Sequence, residues 1–266
     1  MNDKLTRYFR YCPCCGKELS YSFKEDRDKA EKKQTRCINC SDNKGRFKKG
    51  IRSFELFQNP STNPNYNLSK LIAENIISLY WLGFILADGS VYNYKFELGL
   101  KNDDLPHLQK FANYIEFPLE KIRFRNSTNS NSILFSNRFS IPEFMNKWNI
   151  HYHKTYNPCD FSYFEHLTND ELFALLIGLI DGDGHIDKNT GKTISIAFHP
   201  SWKNFYTELL KRLNFPIHIY QHESKSSKET CSLNIGDKES RIKIQKYIDK
   251  HSELPILNRK WSLFKI

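Results

Sequence analysis

Apolar residues gather into two nearly unbroken runs, WLGFILADG at 81–89 and LIGLIDGDG at 176–184, which lie ninety-five residues apart. Apolar positions occur almost all round each run, which predicts two helices buried between two bodies rather than lying on a surface. Each run has a glycine at the same place, Gly83 and Gly178, and each ends in Asp-Gly, as Asp88-Gly89 and Asp183-Gly184. A glycine inside a helix costs about 1 kcal/mol relative to alanine, so a matched pair predicts that the two helices pack closely on one another.

After each run the period of the pattern falls to two. At 95–101 the polar Lys95, Glu97 and Lys101 alternate with Phe96, Leu98 and Leu100, and 121–125 sets Lys121, Arg123 and Arg125 on one face. In the second half 193–199 and 231–235 alternate likewise, with Ser195, His199, Ser232 and Asn234 on the polar face. An ordinary solvated sheet shows the same alternation. Cations in one half and hydrogen-bonding side chains in the other also suit a surface that touches phosphates and base edges. Helical patterns over 105–115, 142–148, 201–213 and 238–251 interleave with the strands. Each half therefore reads helix, two strands, helix, two strands, helix, in an α+β fold with an internal repeat.

The acidic ends of the two buried runs pose an electrostatic problem. A carboxylate at a helix C-terminus opposes the helix dipole, and two of them at the end of one buried interface concentrate negative charge. A divalent, oxygen-ligated cation such as Mg2+ neutralises it.

Both runs resemble the motif that names the LAGLIDADG homing endonuclease family, and two copies at this spacing resemble its single-chain, pseudo-dimeric members. The second copy matches closely, with Asp181 and Asp183 both present; the first has Trp81 at the leading leucine and Leu86 in place of the first acid. The resemblance covers the chain from about Leu68 onward. It implies two pseudo-symmetric αββαββα repeats whose sheets form a concave DNA-binding saddle. It also implies an active site in which Asp88 and Asp183, with the carbonyls of Ala87 and Gly182, hold Mg2+ or another divalent cation. Lys154 and Lys260 resemble the lysines that close a family repeat and are the candidates for stabilising the phosphorane; a surface lysine is the alternative reading of each. Candidate DNA contacts are Lys95, Lys101, Lys121, Arg123, Arg125 and Arg138 in the first repeat and Ser195, His199, Ser232 and Asn234 in the second. The remaining histidines His151, His153, His218 and His222, scattered on polar stretches, read as solvated or DNA-facing.

Ahead of the repeats, Cys12 and Cys15 form one C-x2-C knuckle, and Cys37 and Cys40 form a second, twenty-one residues on. That is the spacing of a structural zinc site, with Cys14 spare and with Pro13 and Gly16 supplying turn chemistry. The stretch 24–33, KEDRDKAEKK, is too charged for a core and reads as an exposed helix or loop. A basic stretch at 44–50 and a Pro/Asn/Ser-rich connector at 58–65 follow it. The expected organisation is a zinc-binding module with its linker at 1–60, a first repeat at 61–165 and a second at 166–266.

Charge strengthens a nucleic-acid reading. The chain of 266 residues carries 40 Lys/Arg against 30 Asp/Glu, and residues 1–60 hold fifteen of the former and eight of the latter. Phosphate backbones attract such a segment, so the module is expected to add DNA contacts. Twenty Phe and fourteen Tyr supply ample core, no apolar run is long enough for a membrane span, and 1–10 is polar and charged, without the apolar stretch of a secretory signal. An intracellular compartment is expected, either the cytoplasm of a bacterial or phage-infected cell or an organelle, with the cysteines reduced or metal-bound.

The function this adds up to is a site-specific homing endonuclease, monomeric, making a metal-dependent double-strand break in a long pseudo-palindromic DNA target. Rivals are an RNA maturase that assists group I intron splicing on the same scaffold and a DNA-binding regulator without catalysis. Retention of both terminal acids favours cleavage. An intein is disfavoured by the lack of a terminal His-Asn junction.

Overall fold

Strands β1 (Tyr8–Tyr11) and β2 (Glu18–Tyr21) open the computed structural model as an antiparallel hairpin, and α1 (Lys24–Lys32) follows with no buried residue. The structure describes residues 8–37, 40, 66–92, 94–222 and 229–266. The basic stretch 44–50 and the connector 58–65 lie outside the described residues. The chain divides into two compact units, Met1–Asn63 and Pro64–Ile266. Arg10 ties the small unit together: it is buried, its Nε donates to the Tyr21 hydroxyl at 2.8 Å, and its guanidinium also reaches the Thr35 carbonyl.

The larger unit runs α2 (Ser69–Ile72), α3 (Ile76–Asp88), β3 (Gly89–Tyr92), β4 (Lys95–Lys101), α4 (Leu105–Tyr114), β5 (Arg123–Arg125), β6 (Ser130–Ser136) and α5 (Ser140–Lys147). The same order then returns as α6 (Asn169–Asp183), β7 (Gly184–Ile186), β8 (Ile194–Phe198), α7 (Lys203–Arg212), β9 (Ile219–His222), β10 (Thr230–Ile235) and α8 (Lys238–Lys250), closed by α9 (Asn258–Trp261). The two four-stranded antiparallel sheets have equivalent orders, β3-β4-β6-β5 and β7-β8-β10-β9. Each buries one face, with Phe96, Leu98, Ile133 and Phe135 inward in the first and Ile194, Ile196, Cys231 and Leu233 inward in the second.

Helices α3 and α6 pack against each other along the middle of this unit, buried all round from Ser78 to Leu86 and from Ala174 to Asp181. Both start with a side-chain cap. Asn75 accepts from the Ser78 amide at 3.0 Å, and Thr168 with Glu171 forms a capping box. The matched glycines lie where the helices cross. A Cβ on Gly83 would stand 2.1 Å from the Leu175 carbonyl oxygen, and one on Gly178 would stand 2.0 Å from that of Tyr80. One turn further on, a Cβ on Gly182 would meet the Ala87 Cβ at 2.2 Å. Tyr80 and Leu175, Gly83 and Gly178, and Ala87 and Gly182 are all ninety-five positions apart, so the crossing is two-fold in pattern.

Two strand expectations need correction. The strand expected over 121–125 begins only at Arg123, because Pro118 starts a 3-10 turn in which the Lys121 amide donates to the Pro118 carbonyl at 3.0 Å. Lys121 therefore sits on that turn, not on the sheet. The strand expected over 193–199 spans Ile194–Phe198; Pro200, which has no N–H to give to a ladder, opens a 3-10 turn, and His199 caps it. That turn also takes Ser201 and Trp202 out of the helix expected from Ser201, so α7 begins at Lys203.

Candidate active site

Asp88 is the last residue of α3 and Asp183 the last of α6, and in each case the chain turns directly from helix into strand. Glycine is required at both junctions. A Cβ on Gly89 would stand 2.6 Å from the Ile85 carbonyl oxygen, and one on Gly184 would stand 2.4 Å from that of Ile180. Because α3 and α6 touch at Ala87 and Gly182, the two carboxylates emerge side by side at one end of the helix pair, within reach of solvent. Burial raises the Asp88 carboxyl from the ordinary aspartate value to about 6, and the Asp183 charge adds to the effect. Burial raises Asp183 as well, opposed by the positive charges of Lys154 and Lys260.

The two lysines take matching places behind the acids. Lys154 Nζ donates to the carbonyls of Leu86 at 2.5 Å and Ala87 at 2.8 Å. Lys260 Nζ donates to those of Ile180 at 3.0 Å, Asp181 at 2.6 Å and Gly182 at 3.0 Å. The last carbonyls of a helix have no intrahelical partner, and a cation there also complements the dipole. Each ammonium thus caps the helix that ends in one of the two paired acids. Burial pulls both lysines below the ordinary lysine value, while the aspartates act in the opposite direction. The lysines touch the same Ala87 and Gly182 carbonyls that were expected to face a metal, leaving one lone pair on each oxygen.

Asp181 was expected only as a motif residue, yet it is the hub of a network joining the repeats. It is 1% exposed and accepts from the Tyr80 hydroxyl at 2.7 Å, the Leu257 amide at 2.8 Å and the Trp261 indole at 2.7 Å. Tyr80 lies 3.1 Å from His107 Nε2, and burial lowers that histidine to about 3, so it is neutral. Burial raises the Asp181 carboxyl to about 6 even though all three donors pull it down. An acid one turn inside an apolar helix was the available signal, since such a group must find partners. Which partners it finds was not readable, because they lie up to 101 positions away.

The outward face of the first sheet carries Lys95, Lys101, Arg123 and Arg125, all exposed, with Glu97 ion-paired to Arg125. Arg138 is exposed on the turn after β6. The outward face of the second sheet has no cation among its described residues. Ser195 donates to Asn234 Oδ1 at 2.8 Å, and Ser232 lies 2.8 Å from His222 Nε2. His199 is engaged within the protein, its Nδ1 accepting from the Ser201 amide and its ring set edge-on to Tyr156. His151, His153, His218 and His222 are exposed.

In the smaller unit the thiols of Cys12, Cys15, Cys37 and Cys40 all lie within 4.8 Å of one another, and Cys14 is exposed outside the group. The Cys15 and Cys37 sulfurs are 3.6 Å apart. Two thiolates on one tetrahedral zinc, each at about 2.3 Å, stand about 3.8 Å apart, so the cluster fits that ion. The Cys37 amide donates to the Cys12 sulfur at 3.2 Å, and this contact is the main reason the Cys12 thiol is lowered to about 6. Gly16 takes the left-handed φ of 66° that closes the first knuckle.

Residues 170–249, within the second repeat, match the family model described as LAGLIDADG-like domain. No curated protein sequence matches the chain. Among solved structures it is similar to the I-LtrWI LAGLIDADG homing endonuclease bound to target DNA, at 15% identity over 72% of this chain and 87% of that one, with a TM-score of 0.46. It is also similar to mesophilic variants of the homing endonuclease I-DmoI, at 19% identity over 67% and 96% with a TM-score of 0.46. A third similar structure is the meganuclease I-SmaMI bound to uncleaveable DNA, at 12% identity over 71% and 85%, with a TM-score of 0.46.

Proposed function

We propose that this chain, whose second repeat matches the LAGLIDADG-like family model, is a site-specific DNA endonuclease of the homing type that cuts both strands of a long pseudo-palindromic target and needs a divalent cation to do so. The observation that carries the reading is the pair of acids at adjoining helix ends, each backed by a lysine that caps its helix. Two carboxylates and two carbonyls are hard oxygen donors, the set that suits Mg2+. Asp88 and Asp183 would hold the metal, which, when bound, supplies charge neutralisation at the phosphate and a water of lowered pKa. The protein's own contribution is to hold the two carboxylates together at the end of a rigid helix pair. Lys154 and Lys260 keep those ends ordered and lend positive charge from behind. The outward sheet faces position the duplex, with cations of the first sheet on phosphates and the amide and hydroxyl groups of the second on base edges. One repeat for each half-site, 61–165 and 166–266, accounts for a target whose halves are similar and not identical.

The test is a supercoiled plasmid library with a randomised insert, incubated with full-length protein and Mg2+, from which linear products are recovered and sequenced. A single recurrent site, cut only with divalent cation present, is the expected result. Linear product that persists in EDTA, or none from any library member, sinks the proposal. Splicing of a group I intron transcript by a protein that cuts no plasmid would instead establish the maturase reading.

Cutting should also respond to acid. A cation competes with the proton for Asp88, whose carboxyl sits near 6, so activity at limiting Mg2+ is expected to fall as pH drops through that value and to recover with excess Mg2+. A profile flat from pH 8 to about 5 would contradict this.

For the smaller unit we infer structural zinc and a supporting role in DNA binding. Protein purified without chelator should carry zinc in a one-to-one ratio and lose it, together with the β1–β2 hairpin, on treatment with 1,10-phenanthroline. A Cys37→Ser variant that retains zinc would rule out this ligand set.

A further inference from the structure

The two capping lysines sit on segments anchored in the opposite repeat. Lys154 serves the end of α3, yet the Trp202 indole donates to its own carbonyl at 2.9 Å, and Ser201 Oγ donates to that of Thr155 at 2.8 Å. Trp202 and Ser201 belong to the second repeat. Lys260 shows the mirror arrangement. It serves the end of α6, but its neighbour Arg259 sends Nε and Nη2 to the two carboxylate oxygens of Asp104 in the first repeat, at 2.5 and 2.6 Å. Lys110, also in the first repeat, donates to the Ile256 carbonyl at 3.3 Å. The 3-10 turn Asn102–Asp104 ahead of α4 and the 3-10 turn Pro200–Trp202 ahead of α7 are equivalent, so Asp104 corresponds to Trp202 and the same corner of each repeat holds the other repeat's lysine segment.

We propose that Arg259 is a positioning residue: its two-pronged pairing with Asp104 holds Lys260 on the carbonyl end of α6, so that the setting of Asp183 in one repeat depends on the other and the two strand cuts are coupled. The geometry is specific. Asp104 has 8% of its side chain exposed and is matched by both prongs of a planar guanidinium, an arrangement a lysine cannot reproduce. Arg259 itself is 54% exposed, so its replacement opens no cavity, and D104N is the second variant because R259A leaves the buried Asp104 charge without its partner. Lys260 is 8% exposed; Leu257 and Trp261 on either side of it are tied to Asp181 of its own repeat, and Arg259 supplies the ion pair that ties the segment to the other repeat. The coupling of the cuts rests on the nuclease reading above; the positioning of Lys260 does not.

The experiment therefore has two arms, both on the full-length protein. In the first, trace acetylation with acetic anhydride is followed by mass spectrometry at Lys260, with Lys154 as the internal reference. In R259A, and independently in D104N, Lys260 should react faster by on the order of tenfold, the equivalent of about 1.4 kcal/mol, with Lys154 unchanged. R259K should recover part of the protection. Unchanged reactivity at Lys260, or Lys154 rising in step with it, overturns the positioning role. In the second arm, R259A acts on a plasmid bearing a site that the wild-type protein cuts. The first cut should persist while the second slows, so that nicked circles accumulate; equal slowing of both cuts overturns the coupling. Wild-type protein that cuts no plasmid removes the nuclease reading and the coupling with it, and leaves the acetylation result to decide the positioning of Lys260.

Discussion

Replacing Asp88 by asparagine is expected to lower the rate of DNA cutting on the order of 10^3-fold or more, about 4 kcal/mol of transition-state stabilisation, while affinity for uncut target stays within a factor of a few. Asparagine keeps the size of the side chain at the end of α3 and removes its negative charge. Asp183→Asn should behave alike, because both acids occupy the same position relative to their helix, glycine and lysine. Cleavage kinetics alongside gel-shift binding in Ca2+ separates the two effects, and a variant that still cuts at near wild-type rate would remove Asp88 from the site. Stability should move the other way. The folded-state pKa of Asp88 is raised above its unfolded value, so its contribution is fully present below the unfolded value near 3.8 and is lost as pH rises through about 6. In Mg2+-free buffer at pH 7.5 the charged aspartate therefore costs stability that asparagine does not. Because the group reaches solvent, the gain in Asp88→Asn is about 1 kcal/mol, and it should vanish as the pH is lowered to about 4.

The second large effect is expected from Gly178→Ala, with a loss of roughly 3 kcal/mol and a fall in Tm of about 6–12 °C. Alanine's better helix propensity offsets only about 1 kcal/mol of the clash. The added Cβ would stand 2.0 Å from the Tyr80 carbonyl oxygen and 2.8 Å from the Phe84 amide nitrogen. These are backbone atoms of a fully buried helix, so no side chain can swing aside and the helices must separate. Separation at the crossing also spreads their ends, and cutting should fall together with Tm. Gly99→Ala is the control: at this exposed position of β4 its Cβ would find its nearest neighbour at 3.8 Å, and Tm should stay within about 2 °C. Equal effects at both positions would show that α3 and α6 do not depend on their close approach.

Much of this architecture could be read from the pattern of the chain. The 3.6 and 2.0 periods are local, and α4, α8, β4 and β10 fall where those periods place them. The strand ends at Lys121 and His199 went astray because a proline on a neighbouring turn, Pro118 or Pro200, diverted the chain before the alternation ran out. The hairpin β1–β2 was not foreseen, since two four-residue strands carry too few positions to show a period. Asp88 and Asp183 stood out because two copies of one pattern are compared without any knowledge of contacts. Their lysines could be named, with a role at the phosphorane, but their place on the helix-end carbonyls could not be read. Lys154 meets Leu86 across sixty-eight positions and Lys260 meets Ile180 across eighty, and nothing local in either segment encodes those partners. The same holds for Arg259 and Asp104, 155 positions apart, whose pairing exists only once the two repeats are side by side.

The hydrogen bond from Tyr80 to Asp181 also decides which halves belong together. The crossing of α3 and α6 is nearly self-complementary, the kind of interface by which either repeat, alone, would pair with a copy of itself. Tyr80 corresponds to Leu175, and Leu86 to Asp181. Two first repeats would bring each tyrosine hydroxyl against a leucine, and two second repeats would bury each Asp181 without its phenol donor. Only the mixed pair makes the bond between them; otherwise Tyr80 keeps His107 alone, and Asp181 keeps the Leu257 amide and the Trp261 indole. A hydrogen bond to a buried charged group is worth about 1.5–3 kcal/mol, so repeats expressed as separate chains are expected to sort into heterodimers, and the linker between them to be dispensable for partner choice.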